Sequence, residues 1–491
     1  MILSMFIRIP LLLLITTSAL ANIDTHFEQL KKDPNALYHF LHEMPKGGEL
    51  HYHLAGGAYP QAMLQLAKNN QKFCLDLENN AVQKREQPCE VPTKLLSKKG
   101  IYERLLKAWT MIGFKAKDVR GGHDHFFASF MKFMPIVKEY HAHMLKDVVE
   151  RAANQNEQYL EIMVLTDNAV STQLAPKKLN WNKLDKQRNK LLANPAFQQT
   201  IDMTVSQASH ILSDTHHLLN CQQNPEQKAC QVLVRFHYYV LREQPIEKLF
   251  AQALNGFEAA NRKGPFVGVN LVQPEDGPIS MRDYQRQMAV FQYLHQVYPN
   301  VHISLHAGEL SARLVPQSGL TSHVHDAIQI GNAERIGHGV DILSEHDATG
   351  TMKTMKERNI AVEINLSSNE AILGISGKEH PLLHYLAAGV PVVLSTDDEG
   401  ILQTNLTQQY MLATTMHHLN YATIKQINRN ALTYSFLPGK SLWQDASTAT
   451  PVPICSNLNS RSCQLFVAQN PKAAQQRLLE VAITEFESKY R

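Results

Sequence analysis

Two carboxylates stand side by side at the close of an apolar, β-branched run in Leu394-Ser395-Thr396-Asp397-Asp398. Three other segments place histidines in the same way: Glu49-Leu50-His51-Tyr52-His53-Leu54, Ile303-Ser304-Leu305-His306-Ala307-Gly308-Glu309 and Arg335-Ile336-Gly337-His338-Gly339. Each reads as a short strand whose polar group sits at or near its C-terminal end, where glycine or a turn residue begins a loop. In a closed parallel barrel those ends all open onto one face, so groups far apart in sequence converge there. Imidazole and carboxylate are donors that zinc accepts, with one position left for water. His51, His53, His306 and Asp397 are therefore the candidate ligands of a single Zn²⁺. Three neutral imidazoles and one carboxylate leave such an ion net positive, which acidifies a bound water.

The chain has 24 histidines, so an isolated H-x-H pair means little. Residues i and i+2 share one side of a strand, but on a helix they diverge by about 200°. Of the pairs His51/His53, His123/His125, His141/His143 and His323/His325, only the first lies in a strand-like context. The other three read as surface or capping histidines on helices. Two adjacent ionised aspartates in a dry pocket repel; a cation on Asp397 relieves that and leaves Asp398 for substrate. Glu309, three residues past His306 across a glycine turn, suits a proton donor beside the ion, the alternative being a solvated loop carboxylate. His338, between two glycines, either orients the attacking water, takes its proton, or is a hydrogen-bonded core histidine.

The elements that must position these groups alternate regularly. Strands are expected at 49–54, 159–165, 232–241, 267–272, 301–306, 335–339, 361–366 and 391–396, with amphipathic helices between them at 245–262, 281–297, 345–358 and 406–419. Eight strands alternating with helices give an α/β fold, a (β/α)8 TIM barrel. An N-terminal helix is expected over 23–43, a long insertion with lid-like helices over 60–158, and a C-terminal extension over 441–491 ending in a helix. The insertion carries an aromatic stripe, Phe126, Phe127, Phe130 and Phe133, which reads either as a face packed on the barrel or as a lid over its mouth.

Residues 1–21, with one Arg, an apolar core and Ala19-Leu20-Ala21, read as a signal peptide, leaving one mature domain over 22–491 that begins at Asn22 and is secreted or periplasmic. The six cysteines fall into local pairs, Cys74 with Cys89, Cys221 with Cys230 and Cys455 with Cys463, as disulfides of an exported protein would. A net charge of +3 without a basic block argues against nucleic acid or an anionic membrane as partner. No stretch after the leader is long and apolar enough to span a bilayer.

Met44-Pro45-Lys46-Gly47-Gly48 running into His51-Tyr52-His53-Leu54, then His306-Ala307-Gly308-Glu309, Gly337-His338-Gly339 and Ser395-Thr396-Asp397-Asp398, resembles the adenosine deaminase family of metal-dependent hydrolases. The likeness runs from Met44 to about Leu437, and the layout is closest to the secreted growth-factor-like branch. It implies zinc on His51, His53, His306 and Asp397, Glu309 as proton shuttle to purine N1, His338 beside the metal-bound water and Asp398 on N7. The implied reaction is hydroxide attack at C6 followed by loss of ammonia. A single ion is implied, because 267–272 lacks the lysine of two-metal relatives. Three positions depart from the adenosine pattern: Ala55 replaces an aspartate that contacts ribose, Val272-Gln273 replaces a glycine segment, and Glu399-Gly400 is more like the branch acting on N6-substituted AMP. The resulting expectation is an exported, zinc-dependent aminohydrolase of a purine nucleoside, adenosine to inosine. The alternatives are another 6-amino or N6-substituted purine, or a secreted nucleoside-binding or signalling protein without turnover. Oligomeric state stays open.

Overall fold

The computed structural model describes residues 23–86, 91–115 and 117–490. The expected leader at 1–21 and Cys89 lie outside the described residues. Eight strands form one parallel sheet in sequential order: β1 Glu49–His53, β2 Tyr159–Val164, β3 Leu233–Leu241, β4 Phe266–Val272, β5 His302–Ala307, β6 Arg335–His338, β7 Ala361–Ile364 and β8 Val392–Leu394. All eight expected strands are present. The seam between first and last is a single parallel bridge, Tyr52 to Asp397, in which His53 N–H donates to Asp397 O (3.0 Å) and Asp397 N–H donates to His51 O (3.2 Å). The (β/α)8 barrel is thus nearly closed, with helices packed around it.

Apolar strand residues such as Ile162, Val269, Ile303, Ile336 and Val362 are buried. Parallel strands covered by helices bury both faces, which explains their near-continuous Val, Ile and Leu content. The barrel also carries charge inside. Arg335 pairs with Glu161 (2.7 Å) and Glu363 (2.6 Å), His237 and Tyr159 bond Glu161, and the Arg335 guanidinium lies 3.8 Å from the Phe436 ring centre. Buried ions of this kind persist only when paired and hydrogen-bonded.

The expected N-terminal helix is two helices. Residues 23–30 are helical, the chain turns at 31–33, and Pro34–Glu43 starts again with Asp33 accepting from Asn35 N and Ala36 N. Proline at the first helical position and aspartate before it are start signals that outweighed the continuous apolar spacing. The insertion holds helices Pro60–Lys68, Pro92–Leu96, Lys99–Trp109, Val119–Glu139 and His141–Asn154, and a hairpin of Phe73–Asp76 with Ala81–Lys84. At the other end Arg461–Ala468 and Pro471–Ser488 pack around a small core of Leu442, Trp443 and Ala473 with the Cys455–Cys463 disulfide. Cys221–Cys230 is also bonded. No helix among the described residues is long and apolar enough to cross a membrane.

Candidate metal centre and substrate cavity

The C-terminal ends of β1, β5 and β8 bring His51, His53, His306 and Asp397 together, with one donor atom from each lying within 4.8 Å of the others. His53 Nε2 is 3.1 Å from His306 Nε2, and Asp397 Oδ1 is 3.4 Å from His51 Nε2 and 3.3 Å from His53 Nε2. His51 Nε2 is buried without a hydrogen-bond partner. Three imidazoles and a carboxylate converging on one point, one of them with an orphaned nitrogen, match what a tetrahedral zinc site asks for.

A second ring of polar groups fixes these side chains. His51 Nδ1 lies 2.7 Å from Glu363 Oε2, and the other Glu363 oxygen takes Ser304 Oγ and Arg335 Nε. His306 Nδ1 meets Asn270 Oδ1 at 2.8 Å, and Ser368 Oγ donates to Asp397 Oδ2 at 2.7 Å. Holding the far ring nitrogen turns the near one toward the ion. Asp397 and His338 sit in the left-handed region, at φ +67° and +70°. Strain of that kind in non-glycine residues is held in place by surrounding contacts and clusters at functional sites.

The electrostatics favour positive charge at this point. Burial works against a proton on His51, yet the nearby Asp397 carboxylate and the bond to Glu363 prevail and raise its pKa to about 9. Asp397 is held well below the usual carboxylate range, its burial outweighed by His51. Burial keeps His53 neutral, at about 4, and lowers His306 strongly. A dication here would answer the same demand that the His51 proton answers.

Glu309 and His338 adjoin this group, with His338 Nε2 3.7 Å from Glu309 Oε1 and 3.9 Å from Asp397 Oδ2. Burial, with Asp397 and Glu275 nearby, pushes the Glu309 carboxyl well above its ordinary range, which favours its protonated form. Burial and Asp397 do the same to Asp398, whose Oδ1 is buried and unpartnered. Gly56 makes room for it: a β-carbon there would stand 1.8 Å from Asp398 Oδ1.

A chain of hydrogen bonds sets the His338 tautomer. Leu382 N–H donates to His380 Nδ1 (3.2 Å), so His380 Nε2 bears the hydrogen and donates to Asn369 Oδ1 (3.0 Å). Asn369 Nδ2 then donates to His338 Nδ1 (3.0 Å), which leaves the hydrogen on His338 Nε2. Burial keeps this ring neutral, with a pKa near 3. His338 thus turns an N–H toward Glu309 and Asp397. Asn369, His380, Glu363 and Ser368 were not singled out from sequence. Glu363 had a signal, because an acid inside the apolar run Ala361-Val362-Glu363-Ile364 must be paired when buried.

The cavity above these groups has a volume of about 360 Å³ and is lined by His53, His306, Glu309, Asp397 and Asp398 on the barrel side. Phe126, Phe127, Phe130, Met131 and Met134 of the Val119–Glu139 helix close the other side, so the aromatic stripe is a lid, while Phe133 packs inward. Ala55 and Gln273 also line it, and no Lys or Arg does among the described residues. Glu399 is turned away, bonded to Tyr52 Oη (2.7 Å) and Arg151 (2.9 Å), so it contributes nothing to the cavity wall.

Two histidines expected at the surface or in caps are instead buried. His123 bridges Asp124 and Asp276, and His323 bonds Glu275 at 2.6 Å while stacking on Tyr284. Helical periodicity gives a residue's face but not the loop that packs on it, and here the loop after β4 covers both.

The adenosine deaminase family model matches residues 194–444. Among curated relatives, the adenosine deaminase of Enterococcus faecalis is 31% identical over 139 residues, 28% of this chain and 38% of that protein. That of Clostridium kluyveri is 25% identical over 198 residues, 40% of this chain and 51% of its own. The chain therefore matches less than two thirds of these relatives' lengths. In fold it is similar to the adenine deaminase of Arthrobacter aurescens (TM-score 0.53, 16% identity, 90% of this chain and 99% of that one). The Arabidopsis ADAL protein complexed with IMP is alike to the same degree (TM-score 0.53, 18% identity, 91% and 99%). A Burkholderia ambifaria amidohydrolase with bound Zn shares the fold as well (TM-score 0.50, 16% identity, 91% and 94%). With the family model covering half of its length and the barrel fold held in common, the chain belongs to the adenosine deaminase family.

Proposed function

We propose that this protein is an exported, zinc-dependent aminohydrolase that deaminates adenosine, or a close 6-aminopurine without phosphate, with release of ammonia. The observation that carries the reading is the meeting, on one barrel rim, of a four-donor cation site with the buried carboxyl of Glu309. When bound, a zinc ion held by His51, His53, His306 and Asp397 supplies the Lewis acidity that makes water nucleophilic at neutral pH. The chain's own groups do the rest. Glu309, carrying a proton, donates it to the ring nitrogen next to the carbon under attack, and of the two protons of the attacking water one passes to the leaving amine and the other restores Glu309. His338 Nε2–H orients the incoming oxygen. Asp398, whose Oδ1 is buried without a hydrogen bond, bonds a second ring nitrogen, and the Phe and Met lid excludes water.

The cavity wall bears on the choice of purine. Among the described residues its acidic side chains are Glu309, Asp397 and Asp398, with no Lys or Arg to receive a phosphate. That favours a nucleoside or free base over the nucleotide substrate that Glu399-Gly400 brought to mind, since Glu399 lies outside the cavity. Ala55 lines the wall with a methyl group where the adenosine pattern has a ribose-binding acid, which supports a second reading: a 6-aminopurine with an altered or absent sugar. Export rests on the leader-like residues 1–21 and on two local disulfides, which persist in oxidising compartments.

The test is a panel of adenosine, adenine, AMP and N6-methyl derivatives with zinc-loaded protein, monitored by ammonia release and zinc content. Turnover of uncharged 6-aminopurines with little on AMP is expected. Turnover of AMP alone would overturn the choice of substrate. Tight binding with no turnover of any purine would support a non-catalytic binding protein.

A further inference from the structure

Glu275 follows β4, is buried, and neither lines the cavity nor belongs to the candidate cation ligands. Both of its oxygens are committed to one peptide turn. Oε1 accepts from Gly308 N–H at 3.1 Å and Oε2 from Glu309 N–H at 2.8 Å. His323 Nδ1 holds Oε1 from the opposite side at 2.6 Å, and Arg242 Nη1 stands 3.7 Å from Oε2. The same Arg242 donates to His306 O at 2.7 Å. The turn His306-Ala307-Gly308-Glu309 is therefore gripped at one carbonyl and two consecutive N–H groups by buried charged side chains. Gly308, at φ +75°, takes the left-handed conformation that aims both N–H groups one way.

The Glu309 side chain lacks such a grip. Among the described residues its carboxyl makes no hydrogen bond, and His338 Nε2 is 3.7 Å away. The place of that carboxyl is set through its backbone. A carboxylate can offer a separate oxygen to each of two adjacent N–H groups, as Glu275 does here. A glutamine of equal size would turn an NH₂ toward one of them. Burial works against the charge on Glu275, but the bond from His323 and the nearby Arg242 prevail and keep its carboxyl below the ordinary range.

We propose that Glu275 is the positioning residue for Glu309, fixing the proton-transfer group through the two peptide N–H groups that precede its side chain. This rests on the reading of Glu309 as the proton-transfer group. The experiment compares Glu275→Gln with wild type in the zinc-loaded full chain, in both the native and the Glu309→Gln backgrounds. In the native background kcat is expected to fall about 10- to 100-fold, the cost of a misplacement near 1 Å, with KM within about threefold and zinc content unchanged. In the Glu309→Gln background the same change should cost less than about twofold, because the group it positions is already disabled. An equal loss in both backgrounds, or loss of zinc, would overturn the proposal in favour of a general structural role.

A crystal structure of Glu275→Gln supplies a readout that needs no substrate. The Glu309 carboxyl should be displaced by about 1 Å or more with His51, His53, His306 and Asp397 in place. An unmoved Glu309 would overturn the proposal whatever the substrate proves to be. Wild-type protein inactive on every 6-aminopurine would instead overturn the functional reading, and the crystal structure alone would then decide the role of Glu275. Should Glu275→Gln fail to fold, His323→Gln, which releases Glu275 from its third partner, carries the same kinetic and crystallographic comparisons.

Discussion

On the barrel side of the cavity, His51, His306, His338 and Asp397 each rest on a buried polar partner, Glu363, Asn270, Asn369 and Ser368 respectively, whereas the lid side presents only the hydrocarbon and sulfur of Phe127, Phe130, Met131 and Met134. The two sides answer to different physics. Removing one member of a buried hydrogen-bonded ring strands its neighbour at a cost of about 1–3 kcal/mol, so the rim resists substitution. An apolar wall can be reshaped for less than about 1.5 kcal/mol when volume is kept, so the lid tolerates change. Reaction chemistry is therefore built into strand ends, and the fit to a particular purine is left to the insertion.

The contrast can be sharpened in steps. The largest effect is expected from Glu309→Gln, which should lower kcat by about 10²- to 10⁴-fold while zinc stays bound, as measured by turnover and elemental analysis. Zinc loss from that variant would move Glu309 into the ligand set. Next comes Glu363→Gln, which weakens the orientation of His51 and should reduce zinc affinity by about 10- to 100-fold in chelator competition; unchanged affinity would show that the outer ring is dispensable. On the lid, Phe130→Ala removes apolar contact worth about 1–2 kcal/mol, or roughly 5- to 30-fold in KM, with kcat and zinc content preserved. A fall in kcat without a change in KM would mean that the lid takes part in chemistry.

The smallest effect concerns the lid's fastening, where Asp276 takes His123 at 2.9 Å and Arg120 at 2.9 Å, with Asp124 on the far side of His123. Burial disfavours the charged His123, but Asp276 and Asp124 raise its pKa above 6.5; burial disfavours the charged Asp276, but His123 and Arg120 lower it below 3.8. The histidine's contribution is complete below its unfolded value and fades as pH rises through its raised one. The aspartate's is complete above its unfolded value and fades as pH falls through its lowered one. The fastening is thus firmest between roughly pH 4 and 6.5. Hydrogen exchange in the first turn of Val119–Glu139, corrected for intrinsic rates, should be a few-fold more protected at about pH 6 than at about pH 8. Equal protection would show that the lid is seated by its apolar face alone.

The same division explains what the sequence disclosed. The eight strands were legible because short apolar, β-branched runs are local signals, and His51, His53, His306, Glu309, His338 and Asp397 sit where four of those runs end. The supporting ring was not legible from spacing, since Ser368, Asn369 and His380 come from helices and loops whose packing only the tertiary fold decides. Glu161 and Glu363 were nearer to view, as lone acids in apolar strands. Glu275 lies in a turn read only for its departure from the family pattern, so its grip on the 308–309 peptide stayed hidden until the loops were seen together.

The barrel's closing seam has one further consequence. The residues that join β1 to β8, His51, His53 and Asp397, are the same ones that offer donors to a cation, so an ion held there would cross-link the two margins of the sheet. Binding to the folded form alone adds stability that grows with the logarithm of free ion concentration. Chelation would then do more than silence a reagent. It would loosen the barrel where its first and last strands are stitched by one bridge, and the melting temperature of the protein would report how much metal its surroundings supply.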